Sequence, residues 1–259
     1  MRCSIVIPAY NESRRIERTL KKVLAYVAQQ GWDADVIIVN DGSRDNTADI
    51  VRRYAGKNAA LRLIENPSNR GKGYSVRSGM LHARGDVMLF SDADLSAPIE
   101  ESAKLLEQIQ AGAAVAIGSR WIKPELQTQK QSLHRQVFGR VFNLALRAVL
   151  GLRFKDTQCG FKAFSRRAVD IIFPLQKIER WAFDPEVIFL AEKHGCRVVE
   201  VPVQWAHEGG GSIHPVRDGI RMLWEVLKVR WYWSTRKYDL AARSSTDATS
   251  ESRARSERG

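Results

Sequence analysis

At 259 residues the chain is long enough to bury a full core, as one large domain or two small ones. Its 44% hydrophobic and 27% charged residues are an ordinary globular balance, and three scattered cysteines without a CxxC pair exclude a disulfide framework or a zinc site. The net charge of +12 calls for an anionic partner, and residues 120–180 carry most of it, with thirteen Lys or Arg against four Asp or Glu.

The N-terminus does not read as a signal peptide, because Met1-Arg2-Cys3 runs at once into the strand-like Ser4-Ile5-Val6-Ile7-Pro8. No stretch approaches the ~18 to 20 unbroken apolar residues of a transmembrane helix. The expectation is a protein that works on the cytosolic side of whatever it touches, in a reducing compartment.

Short runs rich in Val and Ile, bounded by Gly, Asn, Asp or Pro, predict strands over 3–8, 35–40, 61–64, 86–91 and 113–118. Helical apolar spacing fills 12–30, 45–55, 73–83 and 98–110, as in Ile16, Leu20, Val23, Leu24 and Val27. Strand and helix in alternation predict an α/β fold with a mostly parallel sheet and helices on both faces.

Open sheets of this kind bind ligands beyond the carboxyl ends of their strands, so the residues there are the first candidates for a site. The first strand ends in Pro8-Ala9-Tyr10-Asn11-Glu12 and the second in Asn40-Asp41-Gly42-Ser43. Tyr10 offers a face for stacking a base; Glu12 and Asp41 are acceptors for a ribose hydroxyl or base NH. Taken alone, Asp-Gly-Ser is also ordinary turn chemistry. Arg70-Gly71-Lys72-Gly73 is neither a P-loop nor a dinucleotide fingerprint, although two glycines opening a helix can let backbone NH groups approach phosphate.

The fourth strand ends in Asp92-Ala93-Asp94. Two carboxylates one residue apart suit Mg²⁺, which is typically held by one or two carboxylates plus substrate phosphates. Ser96-Ala97-Pro98 beyond them reads equally as a helix start, so the pair is open to a capping role as well. Gly118-Ser119-Arg120 closes the fifth strand and aims a guanidinium, a bidentate phosphate ligand, at the same crevice.

Two later segments interleave apolar and basic residues. The helix over 132–150 is interrupted by Arg135, Arg140 and Arg147, and suits a core position or a membrane interface equally. The segment 217–237 ends in Trp231-Tyr232-Trp233 beside Arg236 and Lys237, and it favours a membrane surface. Residues 239–259 hold almost no large apolar side chains and read as a disordered tail.

In this order the motifs resemble family 2 glycosyltransferases with the GT-A fold, and within them the dolichyl-phosphate β-glucosyltransferase branch and its polyprenyl-phosphate relatives. The likeness runs over about residues 3–235. It is carried by Ser4–Glu12, Val39–Ser43, Asn69–Gly73, Ser91–Asp94 and Gly118–Arg120. The blocks Asp156-Thr157-Gln158-Cys159-Gly160-Phe161-Lys162 and Glu179-Arg180-Trp181-Ala182-Phe183-Asp184 are more specific to transfer onto a lipid phosphate.

The resemblance implies a three-layer GT-A domain over 1–216, with a nucleotide-binding half (1–119) and an acceptor-binding half (120–216). An amphipathic membrane-surface helix would then follow at 217–238. It implies that Pro8, Ala9, Tyr10, Glu12, Asp41, Lys72, Asp92, Ala93 and Asp94 hold the nucleotide sugar. Asp92 and Asp94, with Ser96 as a weaker candidate, would bind Mg²⁺ or Mn²⁺. Arg120 and Arg135 would receive the acceptor phosphate. The catalytic candidates are Asp94, Asp156 and Arg120; Asp156, lying among Arg153, Lys155 and Lys162, suits a base or a salt-bridging role equally. The family's basic residue after a late Gly-Ser is replaced here by Ile213-His214, so the cation closing over the diphosphate would come from His214 or Arg217, or be missing.

The implied reaction moves glucose from UDP-glucose to a dolichyl or polyprenyl phosphate with inversion, at an anionic membrane surface and without nucleic acid. GDP-mannose is an alternative donor, and a sugar-phosphate nucleotidyltransferase is an alternative enzyme. A nucleic-acid-binding module would leave Asp41, Asp92 and Asp94 without a purpose, since carboxylates in a groove repel phosphate unless a metal intervenes.

Overall fold

A computed structural model describes residues 2–129, 133–206 and 215–239. The first half alternates as the apolar spacing predicts: β1 (Cys3–Ala9), α1 (Ile16–Gln30), β2 (Ala34–Asn40), α2 (Thr47–Ala55), β3 (Leu61–Glu65), α3 (Lys72–His82), β4 (Val87–Ser91), α4 (Ser102–Gln110) and β5 (Val115–Ser119). One boundary moves for a physical reason. Asn11 takes a left-handed φ of 55°, and the Glu12 carbonyl accepts the N–H groups of Arg15 and Ile16, so α1 starts four residues later than its apolar period suggests.

The second half is β6 (Gln127–Gln129), α5 (Leu133–Leu150), β7 (Phe161–Ser165), α6 (Arg166–Leu175), α7 (Phe183–Lys193), β8 (Val198–Pro202), β9 (Trp205–Ala206) and α8 (Pro215–Ser234). Strands β6 to β9 and helices α6 and α7 were not anticipated from sequence. They do not form a separate body. The main sheet has the order β3-β2-β1-β4-β7-β5-β8, so β7 and β8 enter the sheet built by the first half. All its pairings are parallel except those of β7, which runs antiparallel to both β4 and β5.

Both faces of this sheet are covered. Alternate residues of each central strand feed opposite cores: Val6, Ile37 and Phe90 on one face, Ile5, Ile38 and Leu89 on the other. That is why β1 and β4 read as unbroken apolar runs rather than alternating ones. The first core is closed by α3, α5, α6, α7 and α8, the second by α1, α2 and α4. Helix α8 belongs to the body through Val226 and Val229, both fully buried, each side chain contributing roughly 1.5–3 kcal/mol relative to exposure. Its opposite side leaves Ile220, Trp224, Leu227 and Trp231 exposed. On α5, Leu146 and Leu150 are buried and Leu144 is exposed. The expected tail lies outside the described residues, apart from Asp239.

Candidate active site

The strand ends of β1, β2, β4 and β5 meet the start of β7. Because β7 is antiparallel, it is the loop entering it, residues 155–160, that arrives at this edge. The Asp92 N–H donates to the Gly160 carbonyl at 3.1 Å. A Cβ placed on Gly160 would lie 2.0 Å from Asp92 Oδ2, so any larger residue here would have to push the carboxylate aside.

Asp92 and Asp94 project from the turn after β4. Ala93 between them is buried, and its carbonyl accepts the Thr19 hydroxyl at 2.5 Å, anchoring the turn to α1. Ser96 donates its backbone N–H to Asp94 Oδ1 at 2.9 Å. Ser96, a candidate ligand from sequence, thus serves to orient Asp94. Burial, and then the charge of Asp92, push the Asp94 carboxyl above its ordinary value. Glu12, paired with Arg15 at 2.6 Å, is raised too, by burial and by the neighbouring Asp94 and Asp92.

This crowding of hard oxygen donors is what a divalent cation would relieve, so the residues fit Mg²⁺ or Mn²⁺. Among the described residues no group of three or more His, Cys, Asp or Glu converges as a self-sufficient metal cage. A two-carboxylate site of this kind leaves the remaining coordination to substrate phosphates.

Lys72 opens α3 and sets its ammonium 2.6 Å from Asp92 Oδ1, within 5.5 Å of the half-exposed Trp181 ring. Burial opposes its charge, but Asp92 and Asp184 outweigh burial and hold the ammonium above its usual range. The glycines around it also admit a neighbouring segment of chain. Gly71 has φ 112°, and a Cβ there would lie 2.5 Å from the Glu179 carbonyl; at Gly73 it would lie 2.5 Å from the Ile178 carbonyl. Two of the loop's four amides are already engaged, and so is the next one along. Gly71 N–H donates to Asp41 Oδ2 at 2.8 Å, Arg70 N–H to Asp41 Oδ1 at 3.0 Å, and Tyr74 N–H to the Glu179 carbonyl at 2.9 Å.

Asp41 is therefore the residue that fastens this loop, and Asn66 adds a third donor at 2.8 Å. Its own N–H donates to the Ala9 carbonyl, joining β1 and β2 at the crevice. Pro8 sits within the buried end of β1, and Tyr10 beyond it is 41% exposed, free to present its ring.

Arg120 follows β5 and is gripped by Asp156. Nε and Nη2 donate to the two carboxylate oxygens at 2.7 and 2.8 Å, and the Arg120 N–H adds a bond at 3.0 Å. Burial alone would raise the Asp156 carboxyl, but Arg120 overrides it and holds the group below its ordinary value. The guanidinium also lies near the rings of Trp121 and Trp205, at 5.7 and 5.5 Å. Arg135 lies on α5, with its side chain outside the described residues, as are those of His214 and Arg217.

Four residues missed by sequence reasoning hold this arrangement. Glu200 on β8 accepts the N–H groups of Lys155 and Asp156 at 2.9 and 2.7 Å, and Asn143 on α5 accepts the Thr157 hydroxyl at 2.8 Å. Lys162, fully buried on β7, donates to the Cys159 carbonyl at 2.5 Å and pairs with Asp184 from α7. A lysine inside the apolar run Phe161-Lys162-Ala163-Phe164 was the available signal, since a buried charge requires a partner.

The comparisons with known proteins agree with this layout. The glycosyl transferase family 2 model matches residues 4–173. The chain is 37% identical to a dolichyl-phosphate beta-glucosyltransferase of Trichomonas vaginalis, over 89% of this chain and 71% of that protein. It is 35% identical to the Saccharomyces cerevisiae dolichyl-phosphate beta-glucosyltransferase, over 88% and 73%. In fold it is similar to Mycobacterium tuberculosis glucosyl-3-phosphoglycerate synthase, solved with Mn²⁺, UDP and glucosyl-3-phosphoglycerate. The TM-score is 0.64 at 18% identity, covering 88% of this chain and 77% of that one. With its sheet, strand-end carboxylates and matched sequence taken together, the chain belongs to glycosyltransferase family 2 and has the GT-A fold.

Proposed function

We propose that this chain is an inverting glucosyltransferase that moves glucose from UDP-glucose to a dolichyl or polyprenyl phosphate at a membrane face. The observation that carries the reading is the meeting of two charge sets in one crevice. Asp92, Asp94 and Lys72 stand on one side, the Arg120–Asp156 pair stands on the other, and the loop 155–160 joins them. The names of the similar proteins support the sugar and the acceptor.

Asp92 and Asp94 would hold the divalent cation with the donor diphosphate, and when bound the ion supplies Lewis-acid stabilisation to the departing UDP. Tyr10 stacks the base. Lys72, already charged and half-buried, compensates the anionic side of the site. The acceptor needs no general base, because a phosphate monoester has a second pKa of about 6 and is mostly dianionic at neutral pH. Asp156 accordingly acts as the group that orients Arg120, and Arg120 and Arg135 together receive the acceptor phosphate. Bringing two anions together is the main electrostatic task, which gives the basic segment 120–180 its purpose.

No helix among the described residues is long and apolar enough to cross a membrane. Contact with the lipid-borne acceptor is assigned to α8, because its exposed Ile220, Trp224, Leu227 and Trp231 form one stripe at helical spacing. The test is transfer of label from a panel of nucleotide sugars into the lipid phase, with Mg²⁺ and a short polyprenyl phosphate. UDP-glucose is expected to label the lipid and release UDP. Labelling from GDP-mannose alone would change the sugar, and release of pyrophosphate would overturn the reaction class.

A further inference from the structure

Beside the exposed stripe of α8 lies a cavity of ≈ 250 Å³, separate from the strand-end crevice, between this helix and the segment 177–180. Four cations line it: Lys177 and Arg180 from the segment, Arg221 and Lys228 from the helix. Against these four stand two carboxylates, Glu179 and Glu225, the latter among Arg221, Arg180 and Lys228. Glu179 bonds the Arg70 guanidinium at 2.5 Å, and Glu225 accepts the Ala182 N–H at 3.2 Å. The cavity is therefore an electropositive recess, smaller than the ~300–1,000 Å³ of pockets that hold drug-sized ligands.

Its place on the helix is what identifies the ligand. Residues 221, 225, 228 and 232 form one row of α8 facing the recess. Ile220, Trp224, Leu227 and Trp231 form the adjacent row, exposed over roughly 16 Å at 1.5 Å rise per residue. Trp224 is 65% exposed and belongs to both, closing the recess on the apolar side. A surface that is apolar along one row and cationic in the next matches the boundary between acyl chains and anionic headgroups.

We propose that this recess seats the phosphate of an anionic membrane phospholipid while the stripe of α8 enters the acyl boundary. This rests on the reading of α8 as a membrane-surface helix, and adds to it a headgroup site distinct from that of the acceptor. The recess also backs onto the nucleotide side: Arg180 Cγ lies 3.0 Å from where a Gly71 Cβ would stand. The docked lipid thus abuts the loop that carries Lys72.

The test is co-sedimentation of the full chain with vesicles of phosphatidylcholine alone or with a third phosphatidylglycerol, at fixed salt. Wild type should bind the anionic vesicles at least tenfold better than the neutral ones. Arg221→Gln with Lys228→Gln should remove most of that preference. Arg230→Gln with Arg236→Gln, two exposed cations of the same C-terminal region outside the recess, should retain it within about twofold, and UDP binding by all variants reports folding. Equal losses from both pairs would show diffuse charge attraction and overturn the recess. Binding to both vesicle types through Trp224, without headgroup preference, would also overturn it while leaving the membrane reading of α8 intact. No binding to any vesicle, with Trp224→Ser indistinguishable from wild type, would overturn both.

Discussion

Tyr238 donates its hydroxyl to Glu186 at 2.7 Å, a buried bond that ties the segment after α8 to α7. The same carboxylate accepts the N–H groups of Lys177 and Ile178 at 2.8 and 2.9 Å. Gln176 next to them donates to the Gly73 carbonyl at 2.8 Å, so the contact reaches the start of α3.

Burial pushes the Glu186 carboxyl from 4.5 up to about 7, against the pull of its three donors. The folded state then favours the protonated form. Stability from this group is full below about pH 4.5 and is lost as pH rises toward 7, by a few kcal/mol at most. Denaturant midpoints measured from pH 4.5 to 8 should fall less steeply in Glu186→Gln than in wild type. Parallel curves would show that Glu186 does not titrate in that window. Tyr238→Phe should cost about 1–2 kcal/mol at pH 8, by leaving a buried acceptor short of a donor.

Gly160→Ala should displace the Asp92 carboxylate, because the new methyl would lie 2.0 Å from Oδ2. A catalytic group moved by about 1 Å can cost on the order of 100-fold in rate. Steady-state transfer should show that loss in kcat with the melting temperature little changed. Near-normal turnover would show that the loop can shift without carrying Asp92 along.

Asp94→Asn should abolish metal-dependent transfer while preserving or raising stability, since it relieves repulsion from Asp92. In wild type, burial and Asp92 hold this carboxyl above its ordinary value, so a proton competes for it at higher pH than usual. Mn²⁺ affinity in the presence of UDP should therefore weaken on acidification before the usual carboxylate range is reached. Titrations at stepped pH by calorimetry check this. Retention of more than a tenth of the activity in Asp94→Asn would count heavily against the metal role.

Asp156→Asn separates a base from an orienting group. Breaking one side of a buried ion pair typically costs about 3–5 kcal/mol, so the variant should be destabilised. Its remaining activity should keep the wild-type pH profile and show a raised KM for the lipid phosphate more than for UDP-glucose. Loss of the acidic limb of that profile would instead make Asp156 the base. Arg120→Lys should reproduce the KM effect, since an ammonium cannot replace the two-pronged guanidinium contact.

Local burial periodicity is written along the chain, and so the alternation through β5 and the carboxylates after β4 were legible without coordinates. Hydrogen-bond partners are not local. Arg120 and Asp156 are 36 residues apart, and their pairing depends on β7 entering between β4 and β5 in the opposite direction. That reversal brings Gly160 under Asp92 and Lys162 into the apolar face where Asp184 meets it.

The Arg70–Gly73 loop shows the difference most clearly. By itself it reads as a loop that offers amides to phosphate. In the folded chain Asp41 has taken the Arg70 and Gly71 amides, and the glycines also admit the segment 178–180. Residue order alone places these groups at the strand ends. Only the tertiary structure decided which of them are already satisfied by one another, because buried donors and carboxylates are paired by register and topology across the sheet.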